Sequence, residues 1–261
     1  MSDKLDSNVK KHVLKNEIMK DDFGWEIPVE SVPLPSKGLI YGPDSVLYNK
    51  ETLQIKAMTA REEDILLSQA YAKDGTTILH LIKSCLIDKS IDVSELSIGD
   101  RNALMISIRI TGYGSNYDIR PPCSNCGFVN DVCINLADLE IKRLKIKPVE
   151  EGKNEFLFEL PVTKKKVIFK YMNAYDERNR QGKIDFFKKH SGGKESNSIV
   201  TFLEEVILSI DGITDKNKIS HFIRNMPALD SKKLREYING NSPGINMTHA
   251  YSCKKCDSEN N

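Results

Sequence analysis

Two pairs of cysteines carry the clearest chemistry in the chain, Cys123-Ser-Asn-Cys126 and Cys253-Lys-Lys-Cys256. Two thiolates separated by two residues wrap one side of a tetrahedral ion, with Zn–S bonds of about 2.3 Å. A structural zinc takes four such ligands, so neither pair suffices alone. Together Cys123, Cys126, Cys253 and Cys256 make a candidate ligand set for one structural zinc ion. A catalytic centre would keep one coordination position open, and four thiolates leave none. Gly127 follows the first pair and suits a tight knuckle turn, because glycine takes positive φ freely. Asp257 holds that place after the second pair, where an Asp is tolerated less well. The pairs stand much further apart than the roughly 15–20 residues usual for a zinc ribbon, so the fold has to bring them together.

An internal duplication supplies the means. Lys56-Ala-Met-Thr-Ala-Arg-Glu-Glu-Asp64 resembles Lys170-Tyr-Met-Asn-Ala-Tyr-Asp-Glu-Arg178. Further on, at one constant offset, Asp100 matches Asp230, Leu104 matches Leu234, Ile108 matches Ile238 and Gly114 matches Gly244. The cysteines keep that offset, Cys123 with Cys253 and Cys126 with Cys256. Equivalent ends of two similar halves can meet at a pseudo-two-fold axis and offer four sulfurs to one ion. The chain then divides into an N-terminal arm (residues 1–30), a first half with the Cys123/Cys126 knuckle (31–140) and a second half with the Cys253/Cys256 knuckle (141–261).

The elements that must position the cysteines follow the same grammar in each half. In the first, Leu39 to Tyr48 and Thr52 to Ala57 read as strands. Thr59-Ala-Arg-Glu62 is a capping box that starts a helix carrying Ile65, Leu66, Ala70 and Tyr71. A second helix carries Ile78, Leu79, Ile82 and Leu86. Ser97 caps a third, with Leu104, Met105 and Ile108, ending at Gly112. A short strand from Tyr117 to Arg120 delivers Cys123. In the second half, Glu155 to Leu160 and Val167 to Tyr171 form a hairpin around the charged turn Lys164-Lys-Lys166, and Asn173 caps the next helix. Phe202, Val206 and Ile210 mark a later helix, Leu234 and Ile238 the last, and a turn at Ser242-Pro-Gly244 precedes Cys253. The fold class is α+β and mostly helical, with two similar halves joined by a zinc-ribbon-like site. Residues 1–24, polar and of little apolar period, read as a tail, a marginal helix or a segment that folds on a partner.

Composition narrows the function classes. Thirty-eight basic residues nearly cancel 37 acidic ones over 261 residues, so no global field draws nucleic acid. No apolar run is long enough to span a membrane, and the polar start does not read as a signal peptide, which points to the cytosol. Six cysteines in a reducing compartment act as ligands or free thiols more often than as disulfides. Cys85 reads as a small core residue and Cys133 as packing within the strand Phe128 to Ile134. His249, four residues before Cys253, offers a substitute ligand or a strand-face histidine; His12, His80, His190 and His221 have no partner at metal spacing. Arg109, between Ile108 and Ile110, is expected half-buried against an acidic partner. Glu62-Glu63-Asp64 and Glu204-Glu205 are helix carboxylates that need no catalytic role. No nucleophile elbow, phosphate-binding glycine loop or His-Glu-x-x-His motif is present.

Four stretches together resemble a known family. They are Leu34-Pro-Ser-Lys-Gly-Leu-Ile-Tyr41, Met58-Thr-Ala-Arg-Glu-Glu-Asp-Ile65, Ser97-Ile-Gly-Asp-Arg-Asn-Ala-Leu104, and Arg109-Ile-Thr-Gly-Tyr-Gly114 running into Cys123-x-x-Cys126. These are similar to the baseplate hub and hub-assembly proteins of T4-like contractile-tailed bacteriophages. The resemblance is dense over residues 33–140 and thin beyond, apart from the last cysteine pair. It implies a non-enzymatic virion-assembly protein, made in the host cytoplasm and working through contacts with other baseplate and hub proteins. Similar proteins run further past their last cysteine pair. With only Asp257 to Asn261 following here, the second knuckle is expected to be short of a return strand. Two other readings fit the same residues: a tail-assembly chaperone that dissociates, and a nucleic-acid-binding zinc ribbon. The latter wants basic and aromatic residues at the knuckles, which Lys254 and Lys255 meet and Ser124 and Asn125 do not.

Overall fold

A computed structural model describes residues 17–20, 24, 26–190 and 198–260. In chain order the first part runs β1 (Glu17–Lys20), β2 (Glu26–Pro33), β3 (Thr52–Lys56), α1 (Ala60–Leu67), α2 (Gln69–Asp74), α3 (Thr77–Cys85), α4 (Ile98–Tyr113), β4 (Asn116–Ile119), β5 (Val132–Asn135) and β6 (Ile141–Lys142). The second runs β7 (Phe156–Glu159), β8 (Lys166–Phe169), α5 (Ala174–His190), α6 (Ser198–Val206), β9 (Ile207–Ile210), α7 (Lys216–Asn225), α8 (Ala228–Asn241), β10 (Gly244–Ile245), β11 (Tyr251–Ser252) and β12 (Glu259–Asn260). The architecture is α+β, with helices packed around small antiparallel sheets ordered β1-β2-β3 and β7-β8-β9 and three two-stranded ribbons.

Alternation along the strands explains the layering. Leu53 and Ile55 on β3 and Val167 and Phe169 on β8 point inward and are buried. They join Leu81, Ile82 and Cys85 of α3, Leu104 and Ile108 of α4, Leu203 of α6 and Leu234 and Ile238 of α8 in one continuous core. Fully burying one such aliphatic side chain is worth about 1.5–3 kcal/mol. The two parts are also joined by backbone. The Ile98 N–H donates to the Met172 carbonyl, β10 pairs with β6, and Arg143 donates to the Leu34 carbonyl at 2.7 Å. Gly99 sits so close to the later chain that a Cβ there would lie 2.0 Å from the Pro243 carbonyl oxygen, so this contact requires glycine.

Residues matched in sequence make similar bonds. Glu62 at the start of α1 takes the Lys56 ammonium at 2.8 Å and the Thr59 backbone N–H at 2.9 Å. Asp176 at the start of α5 takes the Lys170 ammonium at 2.7 Å and the Asn173 backbone N–H at 3.2 Å. Asp100, in the first turn of α4, accepts hydrogen bonds from the Ser36 N–H, the Ser36 hydroxyl and the Tyr41 hydroxyl, and so holds the chain just beyond β2. Asp230, in the first turn of α8, accepts from the Val162 and Thr163 N–H groups and the Thr163 hydroxyl, and so holds the turn beyond β7.

Several expected elements differ. Leu39 to Tyr48 is a run of turns, not a strand. Lys37, Gly38 and Asn49 take positive φ and fold the segment back, and the Gly38 carbonyl accepts from the Asn49 N–H. Its apolar residues Ile40, Tyr41 and Leu47 are buried all the same, so their pattern marked core rather than pleat. The helix expected through Tyr71 breaks at Ser68, whose ψ of 111° is extended. Ile210 lies on β9, not on a helix: α6 ends at Val206 and the chain passes directly into a strand beside β8. Burial of Ile207 and Ile210 in the sheet outweighs their helical spacing. Of the segment read as tail, helix or partner-folded, Glu17–Lys20 forms a strand on β2. The arm's first 16 residues lie outside the described ones.

Candidate metal centre

Each knuckle hangs from a two-stranded ribbon. β4 and β5 pair from Asn116↔Asn135 to Ile119↔Val132, and a further bridge, Pro122↔Val129, closes over the first knuckle. β11 and β12 do the same for the second. The return strand that the second knuckle was expected to lack is therefore present, as Glu259–Asn260. The local backbone is the same in both. The Cys123 N–H donates to the Phe128 carbonyl at 2.8 Å and the Gly127 N–H to the Cys123 carbonyl at 2.9 Å. The Cys253 N–H donates to the Ser258 carbonyl and the Asp257 N–H to the Cys253 carbonyl, both at 2.9 Å. Gly127 and Asp257 take positive φ, 71° and 55°, as the knuckle turn demands.

These turns bring the four sulfurs together. The Sγ atoms of Cys123, Cys126, Cys253 and Cys256 all lie within 4.8 Å of one another, and none is in a disulfide. Cys123 faces Cys256 at 3.7 Å and Cys126 faces Cys253 at 3.7 Å. A tetrahedron with Zn–S bonds of about 2.3 Å has edges of about 3.8 Å, so these two spacings fit a four-thiolate zinc site. The first cysteine of each knuckle is buried and the second lies nearer solvent.

A second set of residues orients the sulfurs. The Asn130 side-chain amide lies 3.7 Å from Cys253 Sγ, and its oxygen accepts from the Lys254 N–H at 2.9 Å. The Asn260 amide lies 3.6 Å from Cys123 Sγ, and its oxygen accepts from the Ser124 N–H at 2.9 Å. The Ser258 hydroxyl touches Cys123 and Cys256 at 3.2 and 3.1 Å. Outer-shell amides of this kind fix ligand orientation and moderate sulfur charge. Sequence reasoning passed over Asn130, Asn260 and Ser258, although Asn130 and Asn260 share the offset of the cysteines.

The electrostatics show one strongly interacting set. The Ser258 hydroxyl, then the Cys126 and Asn125 amides, pull the Cys123 thiol down to about 5. Ser258 lowers Cys256 as well. At Cys126 the Phe128 amide acts downward, but the neighbouring sulfurs and burial win and push it up to about 11. Four thiolates this close repel one another, and a divalent cation is what lets all of them ionise.

The remaining candidates fall elsewhere. Cys85 is fully buried in the core as expected. Cys133, expected to pack, is exposed: β5 pairs only with β4, so its outer face has no layer over it. His249 is exposed in the loop before β11, not on a strand face, and is not part of the sulfur cluster. Arg109 is half-buried as expected, but it meets no acid among the described residues. It donates to the Gly114 and Asn116 carbonyls and lies 5.1 Å from the Tyr113 ring and 5.8 Å from that of Tyr117. Glu62 is a buried cap. Glu204 pairs with Arg224 and Glu205 with Lys183. No helix among the described residues is long and apolar enough to cross a membrane.

An α+β body closed by two reciprocal cysteine knuckles has the build of a structural protein with a candidate metal site. The chain belongs to the T4 bacteriophage base plate protein family, which matches residues 41–261, most of its length. That membership makes it a phage baseplate protein with a structural or assembly role. Neither curated proteins nor solved structures yield a match.

Proposed function

We propose that this protein is a component or assembly factor of the baseplate hub, held in shape by one structural zinc on Cys123, Cys126, Cys253 and Cys256, and that it works through contacts with other hub proteins rather than by catalysis. The observation that carries this reading is the reciprocal four-sulfur cluster in a chain of the baseplate family. Zinc in such a site supplies folding free energy and no reaction chemistry. Asn130 and Asn260 orient the buried sulfurs, and the knuckle turns hold all four within reach of one ion. The matched bonds of Asp100 with Asp230, and of Glu62 with Asp176, support two duplicated halves, 31–140 and 141–261, about a pseudo-two-fold axis through the metal.

Assembly then takes place in the host cytoplasm, and a hub component stays in the virion. Mass spectrometry of purified virions separates that role from a chaperone that leaves: presence at stoichiometric level marks the component, absence marks the factor. Metal analysis of the purified chain tests the pin, with one zinc per chain expected. Nucleic-acid binding with a steep salt slope would replace the assembly reading with that of a zinc-ribbon nucleic-acid binder.

A further inference from the structure

Away from the cysteines, one groove combines open space with unanswered positive charge. It lies between α5 and the corner joining α2 to α3, passes over the start of α4, and encloses about 700 Å³. Ile78, Leu79 and Met105 supply apolar lining, and Arg178 and Arg180 line it from α5. Arg180 Nε is buried and has no hydrogen-bond partner among the described residues. A buried donor left unmade is expensive, and an ionised one more so. None of the acids lining the groove, Asp74, Glu177 and Asp185, bonds this nitrogen. Glu177 is held by Arg101 at 2.6 Å, and Asp185 accepts the Gln181 amide at 2.9 Å.

The wall of the groove is open as well. Gly182 lines it in the middle of α5, and a Cβ there would meet nothing within 4 Å. No contact among the described residues explains a glycine at a position where it weakens the helix. On the same face of α5, Tyr175 is 62% and Phe186 57% exposed. Exposed aromatics beside arginine are the composition of an interface centre.

We propose that this groove docks an acidic amphipathic segment of a partner protein. Its apolar side chains lie on Ile78, Leu79 and Met105, and a carboxylate completes the hydrogen bonding of Arg180. Lys73, Arg178 and Arg180 line the groove without an ion pair among the described residues, against Asp74 and Asp185, and this small excess of positive charge sets the sign of the partner. The assembly reading enters only in making that partner another baseplate protein; the recognition chemistry stands without it.

The test pans a displayed library of short helix-forming peptides against the zinc-loaded full chain. Enriched peptides carry Asp or Glu beside apolar residues at helical spacing. Their affinity falls about tenfold or more for Arg180→Gln, the size of a lost charge-assisted hydrogen bond, and falls for Gly182→Leu, which fills the groove. Arg224→Gln, remote on α7, binds as the parent does. Thermal melts confirm that each variant folds. No enrichment, enrichment of basic peptides, or equal binding by Arg180→Gln overturns the proposal. Zinc content measured on the same preparations reports separately on the metal site.

Discussion

Asn130 and Asn260 exchange roles across the four-sulfur cluster. Each stands on one knuckle and brings its amide nitrogen to the buried sulfur of the other, Asn130 to Cys253 at 3.7 Å and Asn260 to Cys123 at 3.6 Å. Each also accepts the backbone N–H that follows that sulfur, at 2.9 Å in both cases. The knuckles are thus tied by direct hydrogen bonds of side-chain amides as well as through any shared ion.

Cys253→Ser removes one buried ligand and leaves three thiolates facing a polar hydroxyl. It is expected to lose the bound zinc and to lower Tm by an amount on the order of 10 °C, through loss of the metal's share of folding free energy. Calorimetry with metal analysis checks this. An unchanged melt with one zinc retained would exclude a shared site.

Asn130→Ala and Asn260→Ala keep all four sulfurs, so both variants are expected to bind zinc. Loss of an outer-shell hydrogen bond weakens affinity about 10–100-fold, and the reciprocal geometry makes the two losses similar. Competition with a chromophoric chelator measures both. A loss confined to one variant would contradict the reciprocity.

Asp230→Ala strips the acceptor from the Val162 and Thr163 N–H groups, at a cost of about 2 kcal/mol. Asp100→Ala costs more, about 3 kcal/mol, because the groups it leaves unpaired, on Ser36 and Tyr41, are buried beyond the reach of water. Urea denaturation gives both values, and the reverse order would show that burial does not set the difference.

At Glu62, burial works to raise the carboxyl, but bonds from Lys56, Ser84 and Thr59 prevail and hold it at about 2, against an ordinary 4.5. The folded state therefore prefers the carboxylate. Its contribution is full above about pH 4.5 and fades as pH falls toward 2. The stability gap between wild type and Glu62→Gln should narrow across that window. Parallel pH profiles in urea denaturation would assign the acid sensitivity elsewhere.

Gly182→Ala should stabilise the free protein by about 1 kcal/mol, since the helix gains propensity and the methyl meets no neighbour. A destabilised variant in thermal or urea unfolding would reveal a contact on that face of α5.

The knuckles were legible in the sequence because Cys-x-x-Cys fixes its own local turn, and the two pairs, expected to meet from their constant offset, do lie together. The same offset passes through Asn130 and Asn260, but asparagine carries no metal-ligand signature of its own, so their part emerges only when the knuckles are seen face to face. Leu39 to Tyr48 misled because alternating apolar residues serve a strand and a buried string of turns alike; the positive φ at Lys37 and Asn49, neither of them glycine, decided it. Ile210 misled because tertiary pairing with β8 outweighs helical spacing. Cys133 misled because a strand pattern does not say whether a second layer will cover it. The resemblance to baseplate proteins rested on residues 33–140, whereas the family match extends to residue 261 and so takes in the second knuckle.

The halves of the sulfur cluster are separated along the chain by an entire αβ unit. During translation, Cys123 and Cys126 leave the ribosome long before Cys253 and Cys256 exist. Any ion they capture early is held by two ligands and is easily surrendered. If the cluster holds an ion, metallation is the closing act of biogenesis, and a chain truncated ahead of Cys253 should emerge without its lock and be recognisable to host proteases as unfinished.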